Sequence, residues 1–275
     1  VGAGFTHCAC AERLTMIPAI AEALSEKGYT DLTPVQQAVT DPALEGQDLL
    51  VSAQTGSGKT VGFGLAIAPT LLPDGAFGPA GTPLALIVAP TRELAMQVKA
   101  ELGWLYARTG ARIASSVGGM DPRSERRALE AGAHIVVGTP GRLRDHVERG
   151  ALDLSGLRAI VLDEADEMLD MGFREDLELL LAEAPEGRRT LMFSATVPPQ
   201  IEKLAKTYLR DAQRVSTLTK GAQHTDITYR ALKVAEIDAE NAILNLLRYH
   251  QDQRAIVFAN TRAAVARLLS RLGNR

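Results

Sequence analysis

The sequence predicts an α/β fold, in which a mainly parallel sheet is covered by helices on both faces. Short apolar runs that are typical of buried strands alternate with helical patterns along most of the chain. One such run leads into a glycine-rich loop and a helix start, and another ends in a cluster of acids. Open sheets of this kind bind ligands at the edge where the carboxyl ends of their strands meet. The sequence therefore predicts both the fold and the edge of the sheet that binds a ligand.

The strands and helices are predicted from local patterns in chain order. Six apolar runs predict strands: Leu49–Val51, Leu84–Val88, Ile113–Val117, Ile135–Val137, Ala159–Leu162 and Thr190–Phe193. Segments of helical periodicity between them predict helices: Glu93–Tyr106, Arg123–Glu130, Arg142–Arg149 and Arg174–Ala184. Pro198 and Pro199 predict the start of one more helix, which runs to about Leu209.

A change of pattern near residue 216 predicts the domain organisation. We expect residues 12–215 to form one complete domain and the polar stretch 216–228 to form a linker. Residues 229–275 are expected to open a second α/β domain, because so short a segment cannot bury a complete core alone. Its strongest elements are a helix at Ala239–Tyr249, a strand at Ala255–Phe258 and a final helix from Thr261.

The composition is that of a soluble globular protein, with 275 residues, 46% of them hydrophobic, and a net charge of −3. No apolar stretch approaches the roughly 20 residues that span a bilayer, and the start of the chain lacks the blocks of a secretory signal. Both cysteines, Cys8 and Cys10, lie in the first ten residues, so we expect no disulfide framework and a cytoplasmic location. Residues 1–11 are expected to form a disordered tail, although His7 and the two cysteines could also bind a metal.

A phosphate-binding loop is predicted after the first strand. The chain there reads Ala53-Gln54-Thr55-Gly56-Ser57-Gly58-Lys59-Thr60 and continues into a helical pattern. Glycines let successive N–H groups point at anionic oxygens, and the helix start adds partial positive charge. Lys59 is expected to reach the β- and γ-phosphates, and the Thr60 hydroxyl to bind Mg²⁺. Ala53 replaces the usual first glycine, and a glycine-rich turn without a ligand is the alternative.

The acids Asp163-Glu164-Ala165-Asp166 end a predicted strand. An acidic cluster at the ligand-binding edge suits a metal-bound phosphate, and the alternative is a solvated turn whose acids cap a helix. Together with the phosphate loop, these residues favour binding of ATP or GTP.

With these motifs in place, the chain resembles the DEAD-box RNA helicases, a family of two RecA-like domains that use ATP to separate short RNA duplexes. The resemblance implies a RecA-like fold of the P-loop NTPase type for the first domain. The segment from Gly28 to Gln36 is similar to the family's adenine-reading motif. The amide of Gln36 would pair with adenine and Tyr29 would stack on the base. A helix boundary, with Thr33 as cap and Pro34 at the first position, is compatible with that role. The family's second aromatic residue is replaced here by Ala11.

The resemblance also implies the catalytic roles. Asp163 would hold Mg²⁺, mostly through water, and Glu164 would orient and deprotonate the attacking water, with Lys59 completing the catalytic set. Asp166 would contact Ser194-Ala195-Thr196, a tripeptide similar to the motif that couples the ATP site to RNA. Taken alone, that tripeptide is as easily a helix cap before Pro198. The nucleotide-binding set is completed by residues of the loop and the adenine segment: Tyr29, Gln36, Ala53, Thr55, Gly56, Ser57, Gly58, Lys59 and Thr60.

Three strings resemble the family's RNA-binding face. They combine hydroxyls, helix-start N–H groups and arginines, which together suit a phosphodiester backbone of any sequence. Their residues are Pro90, Thr91 and Arg92; Gly118 and Gly119; and Thr139, Pro140, Gly141 and Arg142. Individually each string is also an ordinary strand-to-helix turn.

The leading hypothesis is an ATP- and Mg²⁺-dependent RNA helicase that acts as a monomer, without a membrane. A DNA translocase of the same superfamily and a non-enzymatic RNA clamp are the alternatives. The string from Ala255 to Arg262 resembles the first motif of the family's second domain, whereas the arginine-rich strings of that domain have no counterpart between Ala263 and Arg275. We therefore expect this chain to bind ATP but to hydrolyse it and unwind RNA poorly.

Overall fold

The structure is a computed structural model, which describes residues 17–217, 228 and 230–273. The predicted tail at 1–11, with His7, Cys8 and Cys10, lies outside the described residues, as does most of the predicted linker. The chain forms two compact units that divide between residues 219 and 220. Within the described residues, no helix is both long and apolar enough to cross a membrane.

The first unit is built on a sheet of seven parallel strands, which confirms the predicted α/β class. The strands are β1 (Leu49–Ser52), β2 (Ala85–Val88), β3 (Ile113–Ser116), β4 (Ile135–Gly138), β5 (Ala159–Leu162), β6 (Arg189–Ser194) and β7 (Gln213–Ser216). They are arranged in the order β3-β4-β2-β5-β6-β1-β7.

Nine helices of the first unit are described. They are α1 (Pro18–Glu26), α2 (Pro34–Val39), α3 (Lys59–Leu71), α4 (Arg92–Leu105), α5 (Pro122–Glu130), α6 (Pro140–Glu148), α7 (Ala165–Asp170), α8 (Arg174–Glu183) and α9 (Pro199–Tyr208). The predicted helices all appear, with bounds that differ by no more than two residues from those expected.

Alternate residues of the central strands enter two separate apolar cores. Leu49, Val51 and Phe193 pack with α1 to α4 on one face, whereas Leu50 and Met192 pack with α6 to α9 on the other. Side chains of successive strand residues point to opposite faces, so a strand buried on both sides must be apolar throughout. This is why the strands appear in the sequence as continuous apolar runs, and it confirms that helices cover both faces.

Among the strands and α-helices of the first unit, α1, α7 and β7 were not predicted. β7 is polar and mostly exposed because it forms the sheet edge beside β1, and an edge strand needs no apolar run. α7 begins directly behind the acids and has six residues, which is too short to show a helical period.

The described part of the second unit contains two longer helices, α10 (Ala239–Tyr249) and α11 (Arg262–Gly273). Both helices were predicted, but the strand expected at Ala255–Phe258 is wrong. No residue between 230 and 273 is assigned to a strand, and Ile256 and Phe258 are 82% and 90% exposed. A strand exists only through a ladder with a neighbour, and this apolar segment has none among the described residues.

The strand order places each predicted motif at one edge of the sheet. β5, β6 and β1 are neighbours, and Ser52 and Ser194 lie in register at the ends of β1 and β6. The phosphate loop, the acids and the Ser194 tripeptide therefore meet at the ends of these three strands. The other half of the edge, formed by β3, β4 and β2, carries the three strings predicted to bind RNA.

Candidate functional site

The phosphate loop joins β1 to α3 in a backbone shape that only a few residue types adopt. Gly56 and Gly58 have φ angles of +81° and +86°, in the left-handed region that favours glycine. The Ser57 hydroxyl donates to the carbonyl of Gln54 at 2.7 Å and closes the turn. α3 begins at Lys59, so its N-terminal dipole and the side chains of Lys59 and Thr60 lie at the same point. The loop has the features of an anion-binding cradle.

A buried ion pair joins this loop to the acids. The Lys59 Nζ donates to Glu164 Oε1 at 2.7 Å, and the Thr55 hydroxyl donates to the same oxygen at 3.0 Å. Lys59 and Glu164 are both buried, so their charges interact with little screening by solvent. Two residues 105 positions apart in the chain are thus brought together at the sheet edge.

The backbone of Glu164 is also in the left-handed region, with φ 53° and ψ 52°. For a residue with a side chain, this conformation costs on the order of 1–3 kcal/mol and is concentrated at functional sites. The conformation lets the chain turn sharply from β5 into α7 and brings the carboxylate to Lys59.

Asp163 is 2% exposed, and its Oδ1 has no hydrogen-bond partner among the described residues. Burial raises the pKa of Asp163 to about 7, even though the nearby Lys59 acts in the opposite direction. A buried carboxylate oxygen without a partner, at the same edge of the sheet as the helix-start hydroxyl of Thr60, fits a hard cation such as Mg²⁺. Among the described residues, no three His, Cys, Asp or Glu side chains form a closed metal site. A cation held by Asp163 and Thr60 would take water and phosphate oxygens as its other ligands.

Gln36 links the segment from Gly28 to Gln36, which resembles the adenine-reading motif, to the phosphate loop. It is fully buried, and its Nε2 donates to the carbonyl of Gly58 at 3.1 Å. Its Oε1 accepts from the Thr33 N–H at 3.0 Å, while the Thr33 side chain accepts from the Gln36 N–H, which completes a capping box for α2. The helix boundary expected at Thr33 and Pro34 is confirmed, and Gln36 also fixes the end of the loop.

Tyr29 stacks on Trp104 of α4, with ring centroids 5.8 Å apart and an angle of 28° between the rings. Trp104 is the single tryptophan of the chain and is also covered by Lys27, whose Nζ lies 5.3 Å from the ring centroid. This aromatic partner was missed by the sequence reasoning, because nothing in a helical tryptophan indicates which loop it contacts.

Replacing Gly58 by alanine should lower both thermal stability and nucleotide affinity. A Cβ at this position would lie 2.5 Å from Gln36 Nε2, on a backbone already at φ +86°. A matched control is Gly56→Ala, which has the same left-handed strain but meets nothing within 4 Å. Thermal unfolding should show a lower midpoint for Gly58→Ala than for Gly56→Ala, which corresponds to a free energy of unfolding that is roughly 1–3 kcal/mol smaller. Equal midpoints would show that the contact between the new Cβ and Gln36 does not destabilise the protein.

Asp166 connects the acids to the tripeptide after β6. Its Oδ2 accepts from the Thr196 N–H at 2.8 Å and from the Thr196 hydroxyl at 2.7 Å. Ser194 completes the connection: its hydroxyl accepts from the Asp166 N–H at 3.3 Å and donates to the Thr196 carbonyl at 2.6 Å. Burial alone would raise the pKa of Asp166, but the bonds from Thr196 and Ser194 outweigh it and lower that pKa. A charged Asp166 thus ties the start of α7 to the segment after β6.

The three strings of the other half of the edge are joined by their arginines. Arg92 Nη1 donates to the carbonyl of Gly119 at 3.4 Å, and Arg142 Nη2 donates to that of Met120 at 3.2 Å. Thr91 caps α4 through the Leu94 N–H. Gly118, Gly119 and Gly141 are exposed, whereas Pro90 and Pro140 are buried, as expected for prolines that fix the chain at a helix entry. Thr139 is the N-cap residue of α6 but makes no side-chain capping bond, which leaves its hydroxyl unused by the helix.

Glu125 and His146 also belong to this half of the edge and were not predicted. Glu125 is buried in α5 and His146 in α6, and their side chains meet at 2.9 Å between Oε2 and Nε2. A buried acid on a highly charged helix carries no signal in the sequence that separates it from its exposed neighbours.

Comparison with protein families gives one matching domain. The DEAD/DEAH box helicase profile matches residues 33–204, which cover the phosphate loop, the acids and the Ser194 tripeptide. The match begins at Thr33 and therefore includes Gln36.

Three curated proteins illustrate the sequence similarity. The ATP-dependent RNA helicase DeaD of Haemophilus influenzae is 41% identical over 261 residues, which are 93% of this chain and 42% of that protein. The DEAD-box ATP-dependent RNA helicases CshA of Streptococcus pneumoniae and Geobacillus kaustophilus are 38% and 37% identical, over 89% and 96% of this chain. This chain spans only 46% and 56% of those two proteins, so it corresponds to about half the length of such relatives.

A solved structure shows the same fold. The crystal structure of a DEAD box protein from the hyperthermophile Methanococcus jannaschii has a TM-score of 0.69 and 33% sequence identity. The similarity covers 96% of this chain and 69% of that one.

Proposed function

The chain belongs to the DEAD/DEAH box helicase family, and from this premise we propose that it binds ATP with Mg²⁺ and the backbone of RNA, and couples ATP hydrolysis to local opening of RNA duplexes. One observation carries the proposal. Lys59 of the phosphate loop lies 2.7 Å from Glu164, at the edge of the sheet, and the adjacent buried Asp163 has an oxygen without a hydrogen-bond partner in the described part of the chain. A cationic phosphate ligand, a base and a metal ligand are the groups that phosphoryl transfer requires.

Each residue has a separate role in the proposed reaction. The N–H groups after Gly56 cradle the phosphates, and Lys59 exchanges Glu164 for phosphate oxygens when ATP binds. Glu164, released from Lys59, orients the attacking water and accepts its proton. Asp163 and Thr60 would hold Mg²⁺, which would supply positive charge to the phosphate oxygens. Gln36 and Tyr29 recognise adenine.

Coupling to RNA is proposed to pass through Asp166. Its bonds to Thr196 join the start of α7, directly behind Glu164, to the segment after β6. The RNA backbone is proposed to lie along the other half of the edge, on Pro90, Thr91 and Arg92, on Gly118 and Gly119, and on the segment from Thr139 to Arg142. Contacts of this kind ignore base identity, so binding should be independent of RNA sequence.

The organisation of the chain is part of the proposal. We propose that residues 12–215 form the ATP-binding domain, 216–228 a linker and 229–275 the start of a second RecA-like domain. The 275-residue chain by itself is proposed to hydrolyse ATP slowly, because the arginine-rich strings of the second domain do not occur between Ala263 and Arg275. A monomer in the cytoplasm is the expected setting.

The experiment that tests the function compares nucleotides and a matched pair of variants. We expect the chain with Mg²⁺ to bind ATP more tightly than GTP, measured by calorimetry. Gln36→Ala should abolish this preference, whereas Thr33→Ala, which removes the same helix cap but keeps the amide, should retain it. Equal binding of ATP and GTP by the wild-type chain would contradict the role of Gln36, and no binding of either would contradict the function.

RNA binding and turnover complete the test. Addition of single-stranded RNA should increase ATP hydrolysis, at a rate well below that of a longer relative such as DeaD measured in parallel. A rate equal to that of the relative would refute slow turnover. ATP-dependent RNA binding without strand separation, even with a second domain added, would favour the clamp over the helicase.

A further inference from the structure

β3 is the last strand on one side of the sheet, so one of its edges has no neighbouring strand among the described residues. The carbonyls of Arg112 and Ser116 accept from N–H groups of β4 and of the residues that flank it. In a parallel ladder, alternate residues direct their backbone groups to the same neighbour. Ile113 and Ser115 therefore direct their N–H and C=O groups away from β4, towards the open edge.

The open edge is unpaired along most of its length. Val117, which follows the same alternation, has its N–H bound by the buried Glu125 carboxylate at 2.7 Å. In contrast, no hydrogen bond within the described part of the chain uses the outward backbone groups of Ile113 or Ser115. An unpaired strand edge of this kind is a template for pairing with another extended segment.

A groove of about 280 Å³ runs along this edge, and we call it the β3 groove. It is lined by residues 112–115, by Lys99 of α4, and by Ser124 and Ala128 of α5. α4 packs in one apolar core and α5 packs against the other, so the two helices flank the strand edge from opposite faces of the sheet. An extended segment that lay between them would reach the backbone of β3, whose four residues span about 13 Å.

The β3 groove is cationic. Lys99 and Arg112 line it, and on α5 the exposed Arg123 and Arg127 each precede a lining residue. In the described part of the chain, none of these four side chains forms an ion pair. The groove therefore favours an acidic partner. A second copy of this chain would bring the same cations to the edge, and like charges that face each other destabilise a strand pair.

The backbone of β3 also indicates the chemical class of the partner. Ile113 and Ser115 present carbonyl acceptors as well as N–H donors. The phosphates of a nucleic acid accept hydrogen bonds but donate none, whereas the backbone of a peptide strand supplies both groups. An acidic peptide segment therefore matches this edge better than a nucleic acid backbone does.

We propose that the β3 groove binds an acidic segment of a partner protein, which adds to the sheet as a further strand beside β3. The backbone of the segment pairs with Ile113 and Ser115, and its carboxylates face Lys99 and Arg112. The groove runs along the side of the sheet, whereas the nucleotide site and the three strings lie at the ends of strands. The proposal therefore does not depend on the proposed function.

Matched peptides test the proposal directly. The probe is a short labelled peptide of alternating glutamate and valine, and fluorescence anisotropy measures its binding to the 275-residue chain. A peptide with lysine in place of glutamate, and the acidic peptide methylated on its backbone nitrogens, should each bind at least tenfold more weakly. Equal binding of the methylated peptide would overturn strand addition, and equal binding of the lysine peptide would overturn the preference for acidic segments. No binding of the acidic peptide would overturn the proposal as a whole.

Variants of β3 and of its cations test the same contacts from the protein side. Ser115→Pro removes the outward N–H but no bond to β4, and it should weaken binding of the acidic peptide at least tenfold. Ser115→Ala is the control, because it removes only the hydroxyl that accepts from Lys99 at 3.1 Å, and it should change the affinity no more than about twofold. Equal affinities of the two variants would contradict pairing at Ser115. If Ser115→Pro unfolds, the methylated peptide decides the question.

The charge of the groove has its own matched pair of variants. The double variant with Lys99→Gln and Arg112→Gln should bind the acidic peptide roughly 3–10-fold more weakly and with a smaller dependence on salt. Arg126→Gln, on α5 but paired with Glu130, is the control and should bind like the wild type. An unchanged affinity of the double variant would contradict the role of the two cations.

Hydrogen exchange identifies the edge that is used and the class of the occupant. The acidic peptide at saturation should slow exchange of the Ile113 and Ser115 amides at least tenfold and leave that of Ala114, which faces β4, unchanged. Unchanged exchange at Ile113 and Ser115 would overturn strand addition. If single-stranded RNA displaced the peptide and protected the same amides, the groove would belong to a nucleic acid surface and the proposal would fail. It would also fail if the chain dimerised without peptide and Ser115→Pro abolished the dimer, because the occupant would then be a second copy.

Discussion

Replacing Glu164 by glutamine should lower ATP turnover by about 10²–10⁴-fold, the range that a general base typically contributes. ATP affinity should stay equal or rise by a few fold. The reason is the pair between Lys59 and Glu164 at 2.7 Å, which competes with phosphate for the same ammonium group. A neutral amide competes less well, so Lys59 becomes more available to the nucleotide.

Single-turnover hydrolysis and calorimetric ATP binding measure the two quantities. The matched control is Glu167→Gln, an exposed acid in the same helix, which should change neither. A loss of affinity as large as the loss of turnover would show that Glu164 acts in nucleotide binding rather than on the attacking water. Unchanged turnover would remove Glu164 from the proposed reaction.

Replacing Asp163 by asparagine should stabilise the nucleotide-free protein at pH 7–8, by roughly 2–4 kcal/mol at most. Burial raises the pKa of Asp163 to about 7 from 3.8, so the folded state binds its proton more tightly than the unfolded state does. The contribution of this group to stability is then complete below pH 3.8. It is lost as the pH rises from there through about 7, and it changes little at higher pH.

Thermal unfolding between pH 4 and 8 tests this expectation. The wild type should lose stability across this range relative to Asp163→Asn, and the difference should level off above pH 7. Asp170→Asn, at the exposed end of α7, is the control for removal of one negative charge. The same Asp163→Asn variant should no longer gain affinity for ATP from Mg²⁺. If Asp163→Asn were less stable than the wild type at pH 8, the buried carboxylate would not destabilise the folded protein.

Much of the fold could be predicted from the sequence because strands buried on both faces must be apolar throughout. Ala159–Leu162 and the other central strands carry that signature, and Pro and Thr at helix entries mark α2 and α9. β7 could not be predicted, since an edge strand with exposed side chains needs no apolar pattern. The strand expected at Ala255–Phe258 shows the converse, because an apolar run without a neighbouring strand forms no ladder.

The sequence by itself determined the chemistry that can occur at each strand end. Two local patterns carry this information: the glycine loop before Lys59 and Thr60, and the acids after β5. Each depends only on the residues of its own segment. The tertiary structure alone decided which of these groups meet. The strand order puts β6 between β1 and β5, which brings Lys59 to Glu164 and Asp166 to Thr196. It also pairs Arg142 with the buried Glu125 and leaves Arg92 without an acid among the described residues. Such pairings depend on packing between segments that are distant in the chain, and no local sequence pattern predicts them.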